Sequence, residues 1–473
     1  MDKFNNIFIL GIKGVAMANL AIMLKQFGKN VSGWDVENDF PTDEQLEFSQ
    51  INYLTDKTAV LPDNIDLVIY SAAHNGLANP LLVQANKRKI KVISQPEVLN
   101  LIAKKYHIRA AVCGCHGKTT TASLLAYSLI NLGKKPGYLV GTSTFGKYYG
   151  GDIGINREYF VVEADEYGID PPRNKKPKML MLDPTHIICN NIDFDHPDVY
   201  QNISEVKNSF LVFFNIVNRL KTVKPNLYFC FDDCNLKQTI KNLPRSSYLT
   251  YGFDPQSDLT ISEYLTDEAG VEFKLAFRSK EVGFFRTGLY GQKNISNTAG
   301  AILFLLQQGF SADEIKKAIL GFTGAKRRFE RIYSDKGTQL FDDYAHHPEE
   351  IKTTIKAARE RFPKKKIIVI FQPHTYSRTE SLLAGFAESL SLADKSYILP
   401  VFSSARENRA DFNISSQSIV DLVKSNNVLT VPTKDSLIKK LSSVLTGNDV
   451  IFTMGAGDVY KLKDDIIRII SNK

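Results

Sequence analysis

The chain has 473 residues, 43% hydrophobic and 23% charged, which is enough apolar material for the cores of about three globular domains. No apolar run approaches the roughly 18 residues of a membrane helix. Lys13 interrupts any signal-like stretch near the start, so a cytoplasmic protein without membrane insertion is expected. The formal net charge of +8 suits anionic ligands, but the basic residues are scattered. Even the lysine run 364–366 reads as a solvated strand entrance, so no nucleic-acid partner is expected.

The first α/β block opens with a strand at 7–10, a glycine turn at 11–16 and an amphipathic helix ended by Gly28. A second strand leads to Asp35, placed where a ribose contact is expected in a dinucleotide-type βαβ unit. Lys13 and Ala16 occupy the places of the second and third glycines, so a structural turn and a nucleotide site both fit this stretch. Further strands at 66–71 and 91–94 extend the sheet, and a polar helix at 97–105 leads out of it.

The second block begins at 109 and carries the most informative stretch, Val-Cys-Gly-Cys-His-Gly-Lys-Thr-Thr-Thr at 112–121. A strand, two glycines, a lysine, a threonine and a helix fall in the order that cradles a polyphosphate at a helix N-terminus. Lys118 is placed for the outer phosphates and the Thr119 hydroxyl for Mg²⁺. Only Cys115 and His116 separate Gly114 from Gly117, so the loop is shorter than the usual one. Strands at 159–162 and 185–189 end in Glu163-Ala-Asp-Glu and Asn190-Asn-Ile-Asp-Phe-Asp-His. Their polar ends are expected to face the loop, with Glu163 and His196 as metal ligands rather than Asp165, Asp193 or Asp195. Residues 141–154 are glycine-rich, residues 228–285 read as strand-rich decoration, and Cys230 and Cys234 read as lying in a polar turn. The five cysteines include no Cys-x-x-Cys, which supports neither a zinc site nor a disulfide framework. Gly291-Gln-Lys-Asn-Ile-Ser-Asn297 opens a helix that offers two amides on neighbouring turns.

The third block alternates strands at 338–342, 367–371, 396–401 and 450–453 with helices at 348–361, 380–390 and 435–445. That rhythm predicts a further doubly wound sheet. Two strands end in Asp-Asp-Tyr-Ala-His-His-Pro (342–348) and Gln-Pro-His-Thr-Tyr-Ser-Arg (372–378). His347, just before a proline at a helix start, reads as a cap. Three histidines, two tyrosines and an arginine at adjacent strand ends point to a site.

These motifs, in this order over nearly the whole chain, resemble the Mur ligase family of ATP-dependent amide ligases that build the peptidoglycan peptide stem. The short loop 114–121 and the 342–348 motif are specific to it; the first glycine turn is not. The resemblance implies an α/β chain of three consecutive domains: an N-terminal Rossmann-like one at 1–107, a central P-loop ATPase with a mixed sheet at 108–325, and a C-terminal Rossmann-like one at 326–473. It implies UDP-N-acetylmuramate near Gly11, Gly14, Val15, Ala16, Asp35 and Ser71. ATP would meet Gly114, Cys115, His116, Gly117, Lys118, Thr119, Thr120, Asn294, Asn297, Arg327 and Asp343, with Mg²⁺ on Thr119, Glu163 and His196. The incoming amino acid would be held by Tyr344, His346, His374 and Arg378, with Lys118, His196, Arg327 and His346 in the chemistry.

L-Alanine is the expected addition, and a monomer or weak homodimer the expected state. Three departures keep the added group open. Thr375 stands where arginine is usual in alanine-adding members, Lys293 replaces a usual histidine, and Tyr167 replaces a usual serine, as in a recycling relative that attaches a tripeptide. A P-loop module that hydrolyses ATP without ligation is the alternative of another class.

Overall fold

The strand Asn6–Leu10 is apolar at almost every position and buried on both faces, the pattern of a central strand in a parallel sheet. The computed structural model describes every residue except Met1, Asn38, Pro172, Lys221, Val223, 404–406, Asn408 and Lys473. It places this strand third in a parallel five-stranded sheet, in the order Asn52–Leu54, Asn30–Trp34, Asn6–Leu10, Leu67–Tyr70, Lys91–Ser94. The winding reverses between Asn6–Leu10 and Leu67–Tyr70, so the crevice beyond their carboxyl ends is the ligand position of such a sheet. The helix expected at 97–105 runs Gln95–Ala103. Ser94 starts it two residues earlier through a capping box with Glu97.

A ten-stranded sheet follows. Its phosphate-loop strand Ile108–Cys113 lies between His186–Cys189 and Tyr159–Glu163, all three parallel. The glycine-rich stretch is a hairpin, Gly137–Phe145 with Tyr148–Asp152, that closes one edge. Residues 228–285 are only partly decoration. Leu227–Cys230 and Tyr248–Gly252 extend the parallel sheet around the helix Cys234–Ile240, and the three strands beyond them complete the far edge. Cys230 is therefore a buried strand residue and Cys234 opens a helix, which corrects the polar-turn reading.

The six-stranded sheet runs in the order Glu330–Asp335, Thr338–Asp343, Asp449–Met454, Lys366–Phe371, Lys395–Ile398, Val428–Thr430. Among the described residues, the pair Glu330–Asp335 with Thr338–Asp343 is antiparallel and the other pairs are parallel, with apolar cores on both faces. The short strands Glu330–Asp335 and Val428–Thr430 carry too few apolar residues to stand out in the sequence. The helix expected at 380–390 is two helices, Tyr376–Ser381 and Leu383–Leu390, because Leu382 leaves helical geometry with ψ at 20°. The described chain forms two compact units. One holds residues 1–265, 272–288 and 294–325, with the first two sheets; the other holds 266–271, 289–293 and 326–473, with the third. Among the described residues, no helix is long and apolar enough to cross a membrane.

Candidate functional site

The phosphate-loop turn is built on two glycines. Gly114 and Gly117 both have positive φ (129° and 79°), and Gly117 is the cap of the helix Lys118–Asn131 without a side-chain bond of its own. A Cβ on Gly117 would stand 2.7 Å from the Asn297 amide nitrogen and 3.1 Å from that of Asn190. The loop is held from the neighbouring strand end. Asn191 Oδ1 accepts from the His116 N–H at 2.9 Å, and the Asn191 amide donates to the His116 carbonyl at 3.0 Å. The two residues between the glycines both reach Asp193: His116 Nε2 lies 3.0 Å from its carboxylate, and the Cys115 thiol bonds its carbonyl at 3.1 Å. Burial pushes the Cys115 thiol well up, so it stays protonated and serves as a packing and hydrogen-bonding group. Thr120 is buried in the first helical turn.

Lys118 turns its ammonium onto the Gly114 carbonyl at 2.8 Å and onto Glu166 Oε2 at 2.7 Å. Burial works against that charge, but Glu166 and Asp165 more than offset it and hold the ammonium above its ordinary range. Thr119 and Glu163 are brought together, hydroxyl to carboxylate at 3.1 Å, and the Gly141 N–H also donates to Glu163. His196 groups with Asp165 and Glu166; their ligand atoms all lie within 4.8 Å of one another. Burial would raise the Asp165 carboxyl, yet Lys178, Lys118 and His196 outweigh it and hold it below the usual carboxylate range. Sequence reasoning passed over Asp165 and Glu166 in this cluster. Two groups of donors result, the Thr119–Glu163 pair and the Asp165–Glu166–His196 cluster, and the oxygen-rich chemistry of each fits a hard divalent cation.

In the first sheet, Gly11 (φ 69°), Gly14, Val15 and Ala16 form the turn into the helix Val15–Gln26, with Ser71 at the end of the neighbouring strand. These five follow the carboxyl ends of the two strands between which the winding reverses. Asp35 is turned inward and 1% exposed: Oδ2 accepts from the Lys13 N–H, while Oδ1 takes the Glu37 N–H and lies 3.1 Å from His74 Nε2. It therefore braces the turn, and the half-buried His74 ring stands beside Gly11, 3.3 Å from where a Cβ would be. His74, four residues beyond the strand Leu67–Tyr70, was missed in the sequence.

Asn294 and Asn297 sit one turn apart on the helix Gln292–Gln307, amide to amide at 3.4 Å, and Asn297 packs on Gly117. In the second unit, Arg327 is held at φ 60° by Asp342 (2.9 Å) and the Gly455 carbonyl (2.8 Å). Its guanidinium lies over the rings of Tyr344 and Tyr460. Asp343 accepts from the N–H groups of Phe329 and Ala345, and burial pushes its carboxyl up to about 6 against the pull of Arg328. His347 caps the helix Pro348–Arg361 as expected. His346 Nδ1 lies 3.0 Å from the Tyr344 carbonyl and 3.2 Å from Glu350, which places the ring proton on Nδ1.

His374 stacks on Phe402, and Arg378 is 7% exposed on a short helix whose first N–H groups donate to Glu407. The two histidine-bearing strand ends are separated by the strand Asp449–Met454 rather than adjacent, and Gly455 and Asp458 complete that edge.

Three family models match the chain: "Mur ligase family, catalytic domain" over 6–107, "Mur ligase middle domain" over 112–305, and "Mur ligase, glutamate ligase domain" over 327–457. UDP-N-acetylmuramate–L-alanine ligase of Caldanaerobacter subterraneus is 35% identical, over 99% of this chain and 98% of that one. The protein of the same name from Pediococcus pentosaceus is 34% identical over 98% of both. Among solved structures, UDP-N-acetylmuramate-alanine ligase of Thermotoga maritima superposes with a TM-score of 0.80 at 23% identity, covering 99% of this chain and 100% of that one. A murein peptide ligase of Psychrobacter arcticus gives 0.72 at 23% identity, covering 99% of each.

Proposed function

The chain belongs to the Mur ligase family, and from that premise we propose that it joins L-alanine to the carboxylate of UDP-N-acetylmuramate at the expense of ATP. The observation that carries the reading is the short glycine loop with Lys118 held between its carbonyls and Glu166, in a chain similar end to end to ligases of that name. We assign residues 1–107 to the UDP-sugar, 108–325 to ATP and 326–473 to the amino acid. A cytoplasmic location goes with ATP as co-substrate.

A carboxylate is a poor acyl donor. Its oxygen first attacks the γ-phosphorus, ADP leaves, and an acyl phosphate forms. The amine of alanine then attacks the carbonyl carbon, and phosphate leaves as the amide bond closes. The first step brings two anions together, and Lys118 and Arg327 are the cations this chain supplies against their repulsion. Thr119 and Glu163, with His196, Asp165 and Glu166, would hold Mg²⁺. When bound, that ion neutralises charge on the phosphate oxygens. The backbone N–H groups of the Gly114–Gly117 turn receive phosphate oxygens. Asn294 and Asn297 are assigned to the adenine and Asp343 to the ribose.

Arg378 offers a two-pronged grip on the amino acid's carboxylate. With its proton fixed on Nδ1, His346 presents Nε2 as the acceptor for a proton from the alanine ammonium, which frees the amine for attack. The test is ADP release with UDP-N-acetylmuramate against a panel of single amino acids and one tripeptide, L-Ala-γ-D-Glu-diaminopimelate. Release that requires the sugar and is fastest with L-alanine is expected. Release without sugar or amine would show an uncoupled ATPase, and preference for the tripeptide would overturn the substrate assignment.

A further inference from the structure

Tyr167 directly follows the Glu-Ala-Asp-Glu motif at 163–166. Its ring centroid lies 4.6 Å from that of His196, at an interplanar angle of 50°. The hydroxyl donates to Asp198 Oδ2 at 2.7 Å, so the ring is tied to the same turn that carries His196. From its own side, the Tyr167 N–H donates to Asp165 Oδ1 at 3.1 Å. Lys178 lies over the ring at 5.2 Å while its ammonium bonds Asp165 at 2.8 Å. Tyr167 is buried, and His196 holds a left-handed φ of 60° in a turn where its carbonyl accepts from Val199 and Tyr200. Tyr167 thus bonds Asp165 through its backbone N–H, directly follows Glu166 in the chain and meets His196 by ring contact.

We propose that Tyr167 is a positioning residue for the metal site, fixing the rotamer of His196 so that its imidazole meets the cation together with Asp165 and Glu166. The proposal rests on the reading of that cluster as a metal site. A metal-bound histidine needs its ring plane set by something other than the ion, and here ring contact and a hydrogen-bonded turn set it. A serine at 167 would remove the aromatic face and leave the imidazole to its contacts with Glu166 (3.3 Å) and Asp195 (3.7 Å). Groups that orient ligands from behind typically change metal affinity 10–100-fold when removed.

The experiment uses Mn²⁺ as the metal on the full chain, read by electron spin resonance for affinity and by ¹⁴N echo modulation for imidazole coordination. His196→Ala should abolish the nitrogen modulation. Tyr167→Ser should weaken Mn²⁺ binding about tenfold or more and reduce the modulation, whereas Tyr167→Phe, which keeps the ring, should retain it. If Tyr167→Ser does not fold, Tyr167→Leu tests the same loss of the aromatic face. Unchanged affinity and modulation in the Ser or Leu variant would overturn the positioning role alone. No modulation in the unsubstituted chain, or its persistence in His196→Ala, would overturn the metal-site reading beneath it.

Discussion

Replacing Lys118 by alanine separates the structural and chemical roles of one ammonium. The group is 15% exposed and its partner Glu166 only 2%, at 2.7 Å. Removing one member of such a pair leaves a buried carboxylate uncompensated, which typically destabilises by 3–5 kcal/mol, about. Two features favour the lower end. His196 lies 3.3 Å from Glu166 Oε1, and Lys178 already faces the neighbouring Asp165. A loss of about 3 kcal/mol lowers the melting temperature of the first unit by roughly 5–10 °C. Adding Glu166→Gln removes the stranded charge, so the double variant should recover more than half of that loss, a coupling that double-mutant analysis reads directly. ATP turnover should fall by about 10³-fold or more in both variants, because the lost phosphate contact is not restored by neutralising Glu166. Calorimetry and coupled ADP release on the four proteins of the cycle are the assay. Additive melting shifts would refute the ion-pair argument, and turnover within tenfold of the parent in Lys118→Ala would refute the phosphate role.

Gly117→Ala demands a left-handed alanine, about 1–2 kcal/mol, and drives its methyl to 2.7 Å from the Asn297 amide. ATP affinity should fall about 10-fold in a fluorescent-nucleotide titration, and an unchanged affinity would show that the loop does not need this geometry. Arg378→Lys keeps the charge and loses the planar fork, so KM for L-alanine should rise tenfold or more with KM for ATP within twofold; equal rises would remove Arg378 from the amino-acid site. Asp343 is held at about 6 in the fold against 3.8 for the free side chain, chiefly by burial. The folded state therefore binds the extra proton between those values, and stability is lost as pH rises from about 4 to about 6, by up to ~3 kcal/mol. Asp343→Asn should flatten that part of the thermal-melting profile, and an identical slope in parent and variant would show that the group titrates normally.

What was legible in the sequence was local. A strand, two glycines, Lys118, Thr119 and a helix are contiguous, and the turn forms as read. The cap at His347 was equally legible, since proline at a helix start leaves few alternatives. The Asp165–Glu166–His196 cluster was not, because it depends on how the loops after two different strands are turned toward each other, and alternation along either strand does not encode that. For Asp35 the spacing gave the position but not the surroundings: the Lys13 backbone N–H reaches its carboxylate, and His74 lies 3.1 Å from it, from a later part of the chain.

The glycine-rich hairpin was unreadable for a further reason: its glycines answer to a residue more than 120 positions away. Asn19 is fully buried in the helix that begins at the first glycine turn, and its amide donates to the carbonyls of Val140 and Thr142, both at 2.9 Å. Side chains at 150 and 151 would run into it: a Cβ on Gly150 would lie 2.4 Å from the Asn19 amide nitrogen, and one on Gly151 would lie 2.6 Å from the Asn19 carbonyl. The two carbonyls Asn19 holds flank Gly141, whose N–H reaches Glu163, which in turn accepts from Thr119. A Cβ on Gly141 would sit 2.7 Å from that carboxylate. Glycine is thus required at 141, 150 and 151 because one helix and one carboxylate press on the hairpin. The same contacts link the turn at Gly14 to the phosphate-loop threonine through a single helix, one amide and one strand.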